Sequence, residues 1–325
     1  LDTIVVKENW KRQGLVIAVA DATPLVADDI ENAQIGAKKH YIGRALKPLA
    51  RLVGSLHPYG TKRSVKRILS LFPEIGNQVT SQDLKYFASA ISDPVQLAFM
   101  LGVKNPRMIL DRNLEPHMLY AAIRELSRDS DDKTLNFVYI LAHSDGQALH
   151  NTTLSKFGIT PEMLAQSPSL ARYAEMVPED RTYQPMDISY RLSRGKGVTI
   201  LYVDTCSGGN LFDGMHLPPR TVYIATSDQG QLSSGLFGNS SLVKYVGASY
   251  IQSFLQEGSR KVAFKPGTGF RVEMPPFVMD ELNRTRIALG FEDNFPPYSD
   301  FQVKGNIRLV VERQFDIQHR DKRAS

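Results

Sequence analysis

The stretch "VTILYVDTCSGGN" (residues 198–210) holds the single cysteine of the chain. An apolar run ends there in Asp204, Thr205 and Cys206, and Ser207, Gly208 and Gly209 follow. A second apolar run, "LNFVYILA" (135–142), ends in His143-Ser144-Asp145-Gly146. A third, "TVYIAT" (221–226), ends in Ser227-Asp228-Gln229-Gly230. If these runs are neighbouring strands, a thiol, an imidazole and several small polar residues share one sheet edge. Such a set suits acyl transfer through cysteine. The thiolate is the nucleophile, and an isolated thiol is mostly protonated at neutral pH. A nearby imidazole can take that proton and later protonate the leaving amine. Glycines beside the nucleophile let the backbone turn sharply and aim N–H groups at a developing oxyanion. Taken singly, each residue reads blandly: a lone Cys is commonly a small buried hydrophobe, and "SGG" is a tight turn. The joint placement shifts the reading.

Rival motifs are weaker. His216 lies ten residues after Cys206 and could reach the same edge, but the strand before His143 fixes its direction. Gly247-Ala248-Ser249 lacks the last glycine of a serine-hydrolase elbow. Gly195-Lys196-Gly197 lacks the rest of a P-loop. Seven scattered histidines and one cysteine give no zinc-ligand spacing, so neither a metal nor another cofactor is expected.

Sites in open α/β sheets form outside the carboxyl ends of strands, so the elements around these runs decide whether they meet. "LVIAVA" (15–20) and "RMIL" (107–110) read as two more buried strands, with "VTILYVD" (198–204) the fourth in chain order. From about Asn32 to Ser92 the chain is helix-like and basic. Asp93 and Pro94 suit a helix start and Gly102 its end. In "EPHMLYAAIREL" (115–126), Met118, Ala122 and Leu126 share one face, with Leu119 and Ile123 beside them. "MDISYRLSRG" and residues 241–257 read as further helices. After Gly258, strands are expected near "KVAF" and "NIRLVVER", joined by Pro-rich irregular chain. Continuous apolar strands alternating with helices predict an α/β fold with a mostly parallel sheet.

Composition agrees. Hydrophobic residues make up 42% and charged residues 22% of 325, ordinary for a soluble globular protein. No apolar run approaches the roughly 18 residues of a membrane span, so no span is expected. The start "LDTIVVKENWKRQG" has no apolar h-region and does not read as a signal peptide. One Cys permits no intrachain disulfide. Net charge is +5, with basic clusters at "KKHYIGRALKPLAR", "TKRSVKR" and "HRDKRAS". No nucleic-acid motif accompanies them, so they read as solvated faces and nucleic acid is not the expected partner.

"FVYILAHSDG" resembles the His block, and "VTILYVDTCSGG" the Cys block, of the caspase–legumain superfamily of cysteine peptidases. That superfamily includes caspases, metacaspases, legumains and the peptidase-like subunit of the lipid-anchor transamidase. The order of the blocks matches. "SDPVQLAFMLGVKNPRMILDRNLEPHMLYAAIREL" is similar to the helix–strand–helix before the His block, and "TVYIATSDQGQLSS" to the strand and loop of the specificity pocket. The resemblance implies a caspase-like three-layer α/β sandwich with helices on both faces. It implies a peptidase domain over residues 14–257 with a helical basic insertion at about 22–81, and an extension, 258–325, packed on it. It implies Cys206 as nucleophile and His143 as general acid–base. Amides of Cys206 and of Ser144 or Gly146 would bind the oxyanion. Asp204, Ser227 and Asp228 would line the pocket for the residue before the cut, where acids favour Lys or Arg; a legumain-like Asn preference is the competitor. The partner is then a peptide or protein substrate, and self-cleavage is expected between the His and Cys blocks. The chain departs from the family where Ser144 and Asp145 intervene before Gly146, and where Ser207 follows the cysteine. An inactive peptidase-like binding module and a transamidase or ligase are the alternatives.

Overall fold

Five parallel strands form one contiguous side of a seven-stranded sheet: β2 (Lys11–Ala18), β3 (Arg107–Leu110), β4 (Thr134–Leu141), β8 (Val198–Asp204) and β9 (Thr221–Ala225). The computed structural model describes residues 1–20, 65–70, 81–152, 179–213, 217–233, 241–248, 261–274, 276, 279 and 296–312. Along the sheet the order is β11 (Thr268–Glu273), β12 (Tyr298–Gly305), β9, β8, β4, β2, β3, with β12 antiparallel to β9 and β11 antiparallel to β12. The central strands β4, β8 and β9 are buried along nearly their whole length, because both sheet faces are covered.

Helices make the outer layers. On one face lies α1 (Ser81–Met100), whose Leu84, Phe87, Ala88, Ile91, Val95 and Ala98 pack with Phe137, Tyr139, Ile200 and Tyr202 of the sheet. On the other lie α2 (Pro116–Arg128) and α3 (Pro185–Leu192), packing Leu119, Ile123, Ile188 and Leu192 against Val138, Ile140, Leu201 and Val203. The molecule is therefore a mixed α/β three-layer structure with a mostly parallel sheet. Strands β1 (Asp2–Val6), β10 (Lys261–Phe264) and β13 (Ile307–Glu312) form a separate small sheet, ordered β1-β13-β10. Its Val6, Val262, Leu309 and Val311 join the α1-side core.

Several local expectations are corrected. Asp93 and Pro94 do not start a helix: Pro94 lies inside α1, which begins at Ser81. Burial of a long apolar stripe outweighs the one backbone bond that proline removes. Asp93, expected at a cap, instead pairs with Arg67 at 2.9 Å. Gly102 does end the helix, at φ +81°. In α2 the buried face is Leu119, Ala122, Ile123 and Ser127, while Met118 is half exposed. Beyond the strands expected at residues 261–264 and 307–312, the connecting chain is not all irregular, since β11 and β12 form there. Residues 65–70 are helical, as are 241–248. Of the expected insertion at about 22–81, residues 22–64 and 71–80 lie outside the described residues, as do the 249–257 part of the expected helix and His216.

Candidate active site

The ends of β4 and β8 are level. Leu141 pairs with Asp204 in the parallel register, and the Ala142 N–H donates to the Asp204 carbonyl at 3.2 Å. His143 is two residues beyond Leu141, and Cys206 two beyond Asp204. The loops they begin touch: a Cβ added to Gly146 would stand 3.5 Å from the Cβ of Ser207. Gly146 has φ +89°, so it turns the His143 loop back where an L side chain would be strained. β9 completes the edge, with Val203 paired to Ala225.

The Cys206 turn is held from several sides. Ser207 adopts φ 52°, in the left-handed region. Its N–H donates to the Gln231 carbonyl at 2.8 Å. The Gly208 N–H donates to Ser227 Oγ at 3.1 Å, and Ser227 Oγ donates to the Thr205 carbonyl at 2.7 Å. The Tyr223 hydroxyl donates to the Gly208 carbonyl, and Lys304 holds both the Gly209 carbonyl and Asp213. With the amides of Ser207 and Gly208 taken, that of Cys206 has no acceptor among the described residues. The thiol is partly exposed, and the Ser233 N–H approaches its Sγ at 3.5 Å.

Asp204, two residues before Cys206, is buried. It accepts from the Tyr139 hydroxyl at 3.1 Å and from Ser233 Oγ at 2.5 Å. Ser233 Oγ also lies 2.9 Å from Thr226 Oγ1. Asp204 thus anchors the very segment whose N–H meets the sulfur. Burial, with the negative charges of Asp204 and Asp93 adding to it, pushes the Tyr202 hydroxyl far above its ordinary range. Ser227 is fully buried and braces the Cys206 turn. Asp228 Oδ1 accepts the Gln229 N–H at 2.8 Å, and it lies against Gly209 so closely that a Cβ there would stand 2.5 Å from it. Both residues act here on the turn.

The His143 loop opens a three-stranded antiparallel sheet of β5 (His143–Ser144), β6 (Leu149–His150) and β7 (Thr182–Tyr183). Ser144 Oγ accepts the Gly146 N–H at 2.8 Å. Asp145 Oδ1 accepts the Gln147 and Ala148 N–H groups at 2.8 and 2.9 Å and shapes the turn. Burial works to raise the Asp145 carboxyl, but those two N–H donors and His150 outweigh it and hold it below the usual range. Sequence reading missed Tyr139, Thr226, Gln231, Ser233 and His150. Tyr139 was hidden in an apolar run; Thr226, Gln231 and Ser233 follow β9, and His150 lies on a two-residue strand that its partners alone define.

No family model and no curated protein matches this chain. Among solved structures it is similar to caspase-1 from Spodoptera frugiperda, at 12% identity and a TM-score of 0.39, over 95% of this chain and 94% of that one. Among the described residues no group of His, Cys, Asp and Glu could hold a metal ion, and no helix is long and apolar enough to cross a membrane.

Proposed function

We propose that the protein is a cysteine endopeptidase with Cys206 as nucleophile and His143 as general acid–base. The observation that carries this reading is the level ending of β4 and β8, with Gly146 against Ser207, which sets the imidazole loop beside the thiol turn. Sγ attacks the scissile carbonyl carbon. The carbonyl oxygen becomes an oxyanion held by the Cys206 N–H and by an amide of the 144–146 loop. The Gly146 N–H is used by Ser144 Oγ, which favours the Ser144 amide as second donor. The C–N bond breaks as protonated His143 gives its proton to the leaving amine, and a thioester remains. Water then attacks the thioester, His143 takes one of the water's protons, and the S–C bond breaks to release the thiolate and a carboxylic acid, which gives its remaining proton to solvent.

Asp204 gives the site a preference for Lys or Arg before the cut. Its hydroxyl partners, Tyr139 and Ser233, are neutral donors and leave the carboxylate charge in place. Cys206→Ala and His143→Ala are each expected to abolish cleavage of a fluorogenic peptide with the melting curve preserved, and His216→Ala to keep most of it. A covalent thiol-directed peptide probe should label Cys206. Loss of activity in His216→Ala with His143→Ala active would overturn the assignment. Absence of both labelling and cleavage would leave a binding module, and products heavier by an added amine would mark a transamidase.

A further inference from the structure

His143 and His150 are direct partners in the antiparallel register of β5 and β6, and Thr182 is opposite His150 on β7. Directly opposed residues project to the same side of a sheet, with Cβ atoms about 4.5–5.5 Å apart. One face of this small sheet therefore carries His143, His150 and Thr182 in a row. The other carries Ser144, Leu149 and Tyr183, all buried. The His150 side chain is only 14% exposed, and both its ring nitrogens are engaged. Nε2 faces Asp145 Oδ2 at 3.4 Å, and Nδ1 faces Thr182 Oγ1 at 3.3 Å and Asp180 Oδ1 at 3.9 Å. Asp145 in turn shapes the tip of the His143 loop through its other oxygen.

We propose that His150 is a positioning residue for His143: its ring, held between Asp145 and Thr182 with the Asp180 carboxylate nearby, forms the wall against which the His143 imidazole is set. The proposal rests on the reading of Cys206 and His143 as the reacting pair. A two-residue strand has little rigidity of its own, and a ring held at both nitrogens supplies it. The clamp also ties ring to loop, since Asp145 touches His150 through Oδ2 and the turn amides through Oδ1. The charged and titratable groups around His143 and His150 are Asp145 on the turn, and Asp180 with Glu179 and Arg181 ahead of and on the approach to β7. Asp204 and Cys206 lie at the end of β8. Arg181 is engaged by Glu115 and Glu179 at 2.6 and 2.8 Å.

The test combines the ring titration of His143, followed by NMR on selectively labelled protein, with peptide kinetics. His150→Ala is expected to lower kcat about tenfold with KM within about twofold, and to shift the His143 titration by roughly 0.3 pH unit or more. His150→Gln can still donate to Asp145 and accept from Thr182, and should recover at least about half of kcat. Asp145→Asn keeps the acceptor for the turn amides and removes a negative charge, so the His143 titration should move to lower pH by roughly half a unit. Adding Asp145→Asn to His150→Ala should cost little further kcat, because Asp145 acts through His150. If His150→Ala does not fold, the Gln and Asn variants carry the test. An unmoved His143 titration in folded variants, or fully additive losses, would overturn the proposal. A shifted titration in a protein that neither cleaves peptides nor takes the thiol probe would retain the positioning role and sink the peptidase reading instead.

Discussion

At the residue scale, Asp204 carries two jobs whose consequences separate. Its carboxylate anchors Ser233, which meets the sulfur, and on the proposed peptidase reading it would also supply negative charge to the residue before the cut. Asp204→Asn keeps an oxygen acceptor for one hydroxyl and loses the charge. A charge-assisted hydrogen bond contributes roughly 1.5–3 kcal/mol. Cleavage after Arg or Lys should therefore fall about tenfold or more relative to cleavage after Asn, on a peptide panel differing only at that residue. An unchanged Arg/Asn ratio, or a wild-type preference for Asn or Asp, would show that Asp204 is only an anchor. Gly209→Ala tests the turn itself. The new Cβ would meet the Asp228 side chain and come within 3.0 Å of its Cα, so backbone must move. A loss of about 1–3 kcal/mol is expected from chemical denaturation, together with slower thiol labelling.

At the element scale, the edge of the sheet has its own pH dependence. β11 is an outer strand, and it is joined to β12 across the pair Arg271–Asp300, with two contacts at 2.8 and 3.2 Å. Gln231 adds a third contact to Asp300 at 2.9 Å, and the Arg271 guanidinium stacks over Tyr298. The hydrogen bond from Arg271, helped by Gln231, holds the Asp300 carboxyl below its usual range against a smaller effect of burial. The stabilisation is therefore present above the unfolded carboxyl pKa of about 4 and lost as pH falls through the lower folded value. Asp300→Asn should flatten the acid side of the stability curve by no more than about 1 kcal/mol, because the pair is largely solvated. Denaturation midpoints at pH 3 to 7 would show it; an unchanged pH slope would contradict it. The same hairpin shows what was illegible. The parallel strands β4, β8 and β9 announce themselves because burial on both faces demands continuous apolar runs. In β12 only Ser299, Phe301 and Val303 face the core, and β11 is mostly exposed. Alternation in "YSDFQVKG" was the available signal, masked by nearby prolines. The two-residue strands β5, β6 and β7 have no sequence signature, since partners alone define them. The site followed suit: the strand-end residues could be read from the sequence, but the bracing by Tyr139, Ser227 and Ser233 could not.

At the scale of the whole molecule, one side chain ties the small sheet to the large one. Arg12 lies on β2, and its guanidinium donates to the Leu101 carbonyl at the end of α1 at 2.7 Å. It also donates to the Lys7 carbonyl at 3.1 Å and to the Glu312 carbonyl at the end of β13. Partners 5, 89 and 300 residues away are thus held by a single planar fork. Burial lowers the guanidinium pKa, and the negative charges of Glu8 and Glu312 oppose that effect. Gly102 belongs to the same arrangement, because a Cβ there would meet Arg12 Nη1 at 2.5 Å. Two separate guanidinium nitrogens reach these carbonyls, and a single ammonium nitrogen does not span the same points, so lysine is no substitute. Arg12→Ala should cost about 2–4 kcal/mol, the range expected when partly buried carbonyls lose a charged donor. Arg12→Lys should recover less than about half of that. Because β13 follows β12 with one residue between them, and β12 pairs with β9 beside the candidate site, the loss should also reach the strand edge. Amide exchange is expected to accelerate first in β1 and β13, while β4 and β8 remain protected. Uniform acceleration across all strands would mean that Arg12 contributes to overall stability without joining the two sheets.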